Sequence, residues 1–258
     1  MKNRIDQLFE NKQENILSVY LTAGFPNLND TVTIIKELEK NGVDLIEIGM
    51  PFSDPTADGT TIQHSSETAL KNGMSLKLLF EQLKDIRASV NIPLVLMGYI
   101  NPVLHFGIEK FCEKCNETGI DGLILPDLPL SEYKMHYQEV FSKYGLHNIL
   151  LITPQTSEKR ILEIDETSGG FIYMVSSSST TGADKKPGDF KREYFERIQG
   201  MKLKNPRLIG FGISDRSTFV NACKYASGAI IGSAFIKSVQ PGKMLNKSIE
   251  KFVKEIRV

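Results

Sequence analysis

The stretch LIEIGMPFSDPTADG, residues 45–59, decides the fold of this chain. Its first half, with Val43 just before it, is an apolar and partly β-branched run that suits a buried, extended strand. Its second half, Met50 to Gly59, is dense in Pro, Gly, Ser and Asp, the composition of a loop. A strand that is apolar on both faces belongs in a parallel sheet covered by helices. Glu47 stands inside the apolar run. An ionised carboxylate there is costly unless it finds a partner or keeps a proton. Beside a polar loop that also holds Asp54 and Asp58, Glu47 reads either as the edge of an active site or as a solvated acid at a barrel mouth.

The same alternation continues in both directions. Strand-like runs occupy 16–22, 43–49, 92–98, 121–127, 148–153, 170–176, 207–212 and 228–233. Helical stretches such as 29–42, 108–119 and 157–169 lie between them, each with one apolar face and a Gly at its C-terminal end. The N-terminal MKNRIDQLFENKQE reads as a polar helix without an apolar signal core. Eight strands in 258 residues, with no linker, predict an α/β fold: a single (β/α)₈ TIM-barrel domain over 1–258 with an extra N-terminal helix. An open doubly wound sheet ranks second, because no G-x-G-x-x-G follows the first strand.

Composition narrows the function. Lys+Arg and Asp+Glu are 31 each, so no net field draws nucleic acid or an anionic membrane. No apolar run approaches membrane-spanning length. The three cysteines include a lone CxxC, Cys112 and Cys115, on an expected helix, which reads as packing rather than zinc or redox chemistry. The chain is expected to be cytoplasmic.

Barrel chemistry sits where strands end. That rule gathers Glu47, Asp54, Asp58, Tyr99, Asn101, Asp127, Tyr173 and the loop 176–181 on one face, and puts His147 on the other and His136 on a helix surface. Asp127 reads as a brace for the Pro126–Pro129 turn, and Asp58 by spacing alone as a cap for the helix that follows. No strand end carries Lys, so a Schiff base has no nucleophile. His64 and His105 form no recognisable ligand pair, and no metal is expected. Carboxylate acid–base chemistry remains. TTGAD (180–184), GFGIS (210–214) and IGSAF (231–235) are Gly-rich, and the last two close the expected strands seven and eight, the usual place for a barrel phosphate site. The polar segment SSSSTTGADKKPGDF (176–190) reads as a lid, with Thr181 and Gly182 on its ligand side.

Together IEIGMPFSDPTADG, YLTAGFP, LMGYINPV, ILPDLP, the TTG loop, GFGIS and IGSA resemble the tryptophan synthase α subunit family, in register from about Leu8 to Phe252. The resemblance implies cleavage of indole-3-glycerol phosphate to indole and glyceraldehyde 3-phosphate. It also implies a β-subunit partner in an α₂β₂ heterotetramer, with pyridoxal phosphate carried only by that partner and no cofactor in this chain. It carries the catalytic roles onto Glu47 and Asp58, and substrate binding onto Tyr20, Tyr173, Thr181, Gly182, Gly210, Phe211, Gly212, Gly232 and Ser233. The loop around Pro51–Pro55, with Asp54, resembles the segment that communicates with the β subunit. Tyr20 departs from the Phe of many members, the lid is unusually Ser-rich, and Thr56 and Thr60 replace a common Leu and Pro. Two other readings stay open: a non-catalytic regulatory α-like subunit, and another phosphosugar barrel such as an epimerase-like isomerase.

Overall fold

A computed structural model describes residues 2–176, 192–242 and 244–258. Nine short strands form one parallel sheet: β1 (Ile16–Thr22), β2 (Leu45–Gly49), β3 (Leu94–Met97), β4 (Gly122–Ile124), β5 (His147–Asn148), β6 (Leu150–Ile152), β7 (Ile172–Val175), β8 (Arg207–Gly210) and β9 (Gly228–Ile231). Only Ile149 separates β5 from β6, and its amide still donates to the Leu123 carbonyl at 2.9 Å. Because β5 pairs with β4 and β6 with β7, the two pieces serve as one staggered strand. With β9 against β1, the sheet closes into an eight-stranded barrel. The eight runs expected from the sequence all appear, shortened by one to three residues at some ends, where the chain turns into loops.

Side-chain alternation sorts the core into two layers. Outward residues such as Leu17, Val19, Ile46, Ile48 and Leu96 pack against the helices. Inward residues Ile16, Leu45, Val95, Ile124, Ile149, Tyr173, Leu208 and Ile230 fill the barrel. The N-terminal helix Arg4–Asn11 closes the floor by inserting Ile5 among them. Gly122 makes that insertion possible: a Cβ there would meet Ile149 Cδ1 at 2.7 Å and Ile5 Cδ1 at 3.1 Å.

Polar contacts hold the floor. Buried Asp121 takes Arg4 at 3.0 Å, Arg87 at 2.6 Å and the Leu94 amide at 2.9 Å. His147 meets Asp6 at 2.8 Å on this same end, away from the strand ends where chemistry is expected. Cys112 and Cys115 are buried on the helix Ile108–Thr118, where burial pushes the Cys112 thiol up to about 12 and raises Cys115 as well. They pack the helix, as the sequence suggested, and burial favours their protonated form. Among the described residues no helix is long and apolar enough to cross a membrane.

Candidate active site

Glu47 sits mid-strand rather than at a strand end. Its register neighbours are Tyr20 on β1 and Val95 on β3, so it shares their inward face. It is fully buried, with 0% exposure. The Ser18 hydroxyl donates to its Oε1 at 3.1 Å, and Oε2 has no hydrogen-bond partner among the described residues. Burial pushes the carboxyl up to about 8, with the Ser18 hydrogen bond acting against that rise. The group therefore keeps its proton at neutral pH while remaining able to release it.

Asp58 sits in the loop after β2. The next helix, Thr60–Lys71, has Gly59 at its N-cap and no side-chain cap, so Asp58 does not cap it. Its Oδ2 instead accepts the Tyr99 hydroxyl at 2.9 Å, and Tyr99 in turn accepts the Ala57 amide at 2.9 Å. Burial raises the Asp58 carboxyl above the usual range, and the Tyr99 bond opposes the rise. Burial first, then contact with Asp58, pushes Tyr99 up to about 12. Tyr99 is thus a firm donor.

Tyr20 and Tyr173 join the two acids. Burial raises both phenols, and each also feels the charges of Glu47 and Asp58. Their hydroxyls lie over glycines: a Cβ on Gly49 would stand 2.0 Å from the Tyr20 oxygen, and one on Gly210 2.1 Å from the Tyr173 oxygen. A narrow cleft lies beside Tyr20, lined also by Phe52, Asp58, Met97, Tyr99 and Pro126 among others. Tyr20 bridges cleft and acid, since it lines the one and stands opposite the other in the sheet.

At the end of β8 the chain turns sharply. Phe211 has φ 66° and Gly212 φ +76°, a left-handed pair in which only the glycine is at ease. The Ser176 hydroxyl holds the turn by donating to the Phe211 carbonyl, and the Phe211 ring meets Tyr173 edge-on at 6.1 Å. Gly210 and Phe211 thus border Tyr173. Gly232 follows β9 and leads into the short helix Ser233–Ser238. Both Gly-rich strand ends are on the expected face. Thr181 and Gly182, with the expected lid beyond Ser176, lie outside the described residues.

Some residues take other roles. Asp127 accepts the Ile100 amide at 3.0 Å, so it holds the start of the helix Ile100–Phe106 rather than the Pro126–Pro129 turn. Asp54 is exposed and hydrogen-bonded by its neighbour Ser53. His64 is exposed on the helix Thr60–Lys71 and His105 on Ile100–Phe106; among the described residues no cluster of His, Cys, Asp or Glu could hold a metal. The sequence reading missed Ser18, although a small polar side chain among the apolar residues of ILSV was its signal. It placed Tyr99 on the right face without a role, because its partner lies 41 residues away.

The family model for the tryptophan synthase alpha chain matches residues 7–257. The tryptophan synthase alpha chain of Flavobacterium psychrophilum is 59% identical over 98% of this chain and 99% of its own length. That of Flavobacterium johnsoniae is 59% identical over 99% and 100%. Among solved structures, the tryptophan synthase alpha chain from Legionella pneumophila superposes with a TM-score of 0.88 at 30% identity, covering 100% of this chain and 97% of the other. A chain of M. tuberculosis tryptophan synthase in its aminoacrylate-bound form gives 0.85 at 27% identity, covering 98% of each. By fold and by similarity over nearly its whole length, the chain belongs to the tryptophan synthase alpha chain family of carbon–carbon lyases.

Proposed function

We propose that this chain cleaves indole-3-glycerol phosphate to indole and glyceraldehyde 3-phosphate, with Glu47 and Asp58 as its two catalytic groups. The observation that carries the reading is a fully buried Glu47, its carboxyl raised by burial, that shares Tyr20 and Tyr173 as neighbours with an Asp58 tethered by Tyr99. The carbon–carbon bond to the ring cannot break until ring carbon 3 is protonated, since its electrons need an acceptor. Glu47 gives that proton, and the charge then resides largely on the ring nitrogen. The Asp58 carboxylate, held by Tyr99, accepts the ring N–H and stabilises the cation in a water-poor site. As the bond breaks its electrons return to the ring, the side-chain hydroxyl becomes the aldehyde, and Glu47 takes back the hydroxyl proton. An acid that must then act as a base works best with a pKa near the working pH.

Gly182, Gly212, Gly232 and Ser233 would cradle the phosphate, with Gly210 and Phe211 setting the turn and Tyr20 and Tyr173 flanking the ring. We assign Thr181 to the lid side of the same site. The chain would act as one domain in the cytoplasm, in an α₂β₂ assembly. It would hand indole to a β subunit that carries the pyridoxal phosphate, with no cofactor of its own. The test is product analysis with indole-3-glycerol phosphate, with and without a tryptophan synthase β chain. Equimolar indole and glyceraldehyde 3-phosphate, formed faster with the β chain, would support the reading. Substrate binding without cleavage under either condition would favour a regulatory subunit.

A further inference from the structure

The two oxygens of Glu47 are not equivalent. Oε1 accepts the Ser18 hydroxyl, and Oε2 has no partner among the described residues. Ser18 is fully buried on β1, in register between Leu45 of β2 and Ile230 of β9, both apolar and inward-facing. A hydroxyl at such a place is unfavourable unless it is bonded. Its bond runs to the carboxyl on the neighbouring strand.

We propose that Ser18 is a positioning residue for the proton transfer: by holding Oε1 it orients the carboxyl group and leaves Oε2 as the atom that delivers and recovers the proton. The inference rests on the reading of Glu47 as proton carrier. It follows from which atoms are engaged, since a proton on Oε1 would compete with the incoming Ser18 hydroxyl. A donor on Oε1 also favours the carboxylate form, which makes Glu47 a stronger acid than burial alone would allow. The titratable groups beside Glu47 are Tyr20 from β1 and Tyr173 from β7, each of which also senses Asp58 in the loop after β2, where Tyr99 holds it. Its shift has no contribution from a cation, so the Ser18 hydroxyl is the group that opposes burial there.

The test compares Ser18→Val with Ser18→Thr, side chains of one shape that differ by the hydroxyl. Indole release from indole-3-glycerol phosphate is followed across the pH range in the presence of a β chain, and the Glu47 carboxyl is titrated by ¹³C NMR. For Ser18→Val the alkaline limb of kcat and the NMR midpoint should both move up by about one pH unit. Neutral kcat should fall several-fold and KM should hardly change, while Ser18→Thr should match the parent. Ser18→Ala provides the same comparison if valine disturbs the barrel. A Ser18→Val profile that superimposes on the parent, or a Ser18→Thr profile shifted equally, overturns the proposal. Glu47→Gln, run alongside, separates the two layers. Loss of turnover there with an unmoved Ser18→Val profile overturns the role of Ser18 alone, and retained turnover overturns the Glu47 reading together with it.

Discussion

The Tyr99 hydroxyl lies 2.9 Å from Asp58 Oδ2 and accepts the Ala57 amide at 2.9 Å, which ties the loop after β2 to the end of β3. One phenol thereby sets both the place and the charge of the carboxylate. Burial raises the Asp58 pKa and the Tyr99 bond lowers it, so removing the bond raises it further. Activity that needs ionised Asp58 is present above that pKa and lost as pH falls through it. Tyr99→Phe should therefore shift the acid limb of kcat/KM to higher pH and lower its plateau roughly tenfold, the scale of one charge-assisted hydrogen bond. An acid limb unmoved by the substitution would count against this role for Tyr99.

Glu47 also links catalysis to stability. Its carboxyl holds a proton up to about 8 in the fold, whereas 4.5 is the ordinary value for the unfolded chain. Between those values the native state binds more protons, so this group makes stability fall as pH rises from about 4.5 to about 8. Glu47→Gln removes the penalty. The variant's stability should approach the parent's near pH 4.5 and exceed it by a margin that grows up to about pH 8 and then levels off, on the order of a few kcal/mol, read by denaturant unfolding at each pH. A margin that does not change with pH would show that Glu47 is not buried as described.

Gly210 and Tyr173 are coupled by space. A methyl group on Gly210 would stand 2.1 Å from the Tyr173 oxygen and 2.4 Å from its ring carbon Cζ, so one of them must move. Gly210→Ala is expected to lose about 1–3 kcal/mol of stability and much of its turnover, and Tyr173→Leu in the same chain should restore part of the stability. Chemical denaturation of the two single variants and the double variant measures the coupling. Strictly additive losses would mean that the two residues do not share the site.

The floor of the barrel should affect stability without affecting chemistry. Asp121→Ala strips Arg4 and Arg87 of their buried partner and is expected to cost about 3–5 kcal/mol. At temperatures where the variant stays folded, KM and kcat should equal the parent's within about twofold, because this end faces away from the cleft. A selective loss of kcat would argue that the floor reaches the active site.

Much of this was legible in the sequence, because periodicity and strand-end rules are local. The apolar runs with Gly-terminated helices between them gave away a covered parallel barrel, and the Glu within LIEIG stood out as an acid in an apolar run, though whether it was buried or solvated stayed open. What stayed hidden depended on register. Whether Glu47 faced the barrel or the helices is a one-residue question, settled only by its alignment with Tyr20 and Val95. The same register brings Ser18 to Glu47 across 29 residues, and the closing of β3 brings Tyr99 to Asp58. The seats of Tyr20 over Gly49 and of Tyr173 over Gly210 are three-dimensional in the same way. Asp127 was misread because its nearest prolines in sequence hid a partner at Ile100.

The most direct test of two-carboxylate cleavage is indole release by Glu47→Gln, measured beside the parent with a tryptophan synthase β chain present and with binding of a non-cleavable phosphate analogue followed in parallel. The expected result is parental turnover that falls at least a hundredfold in the variant, the scale of one lost proton transfer, while analogue binding persists. Indole release at the parental rate by Glu47→Gln would contradict it.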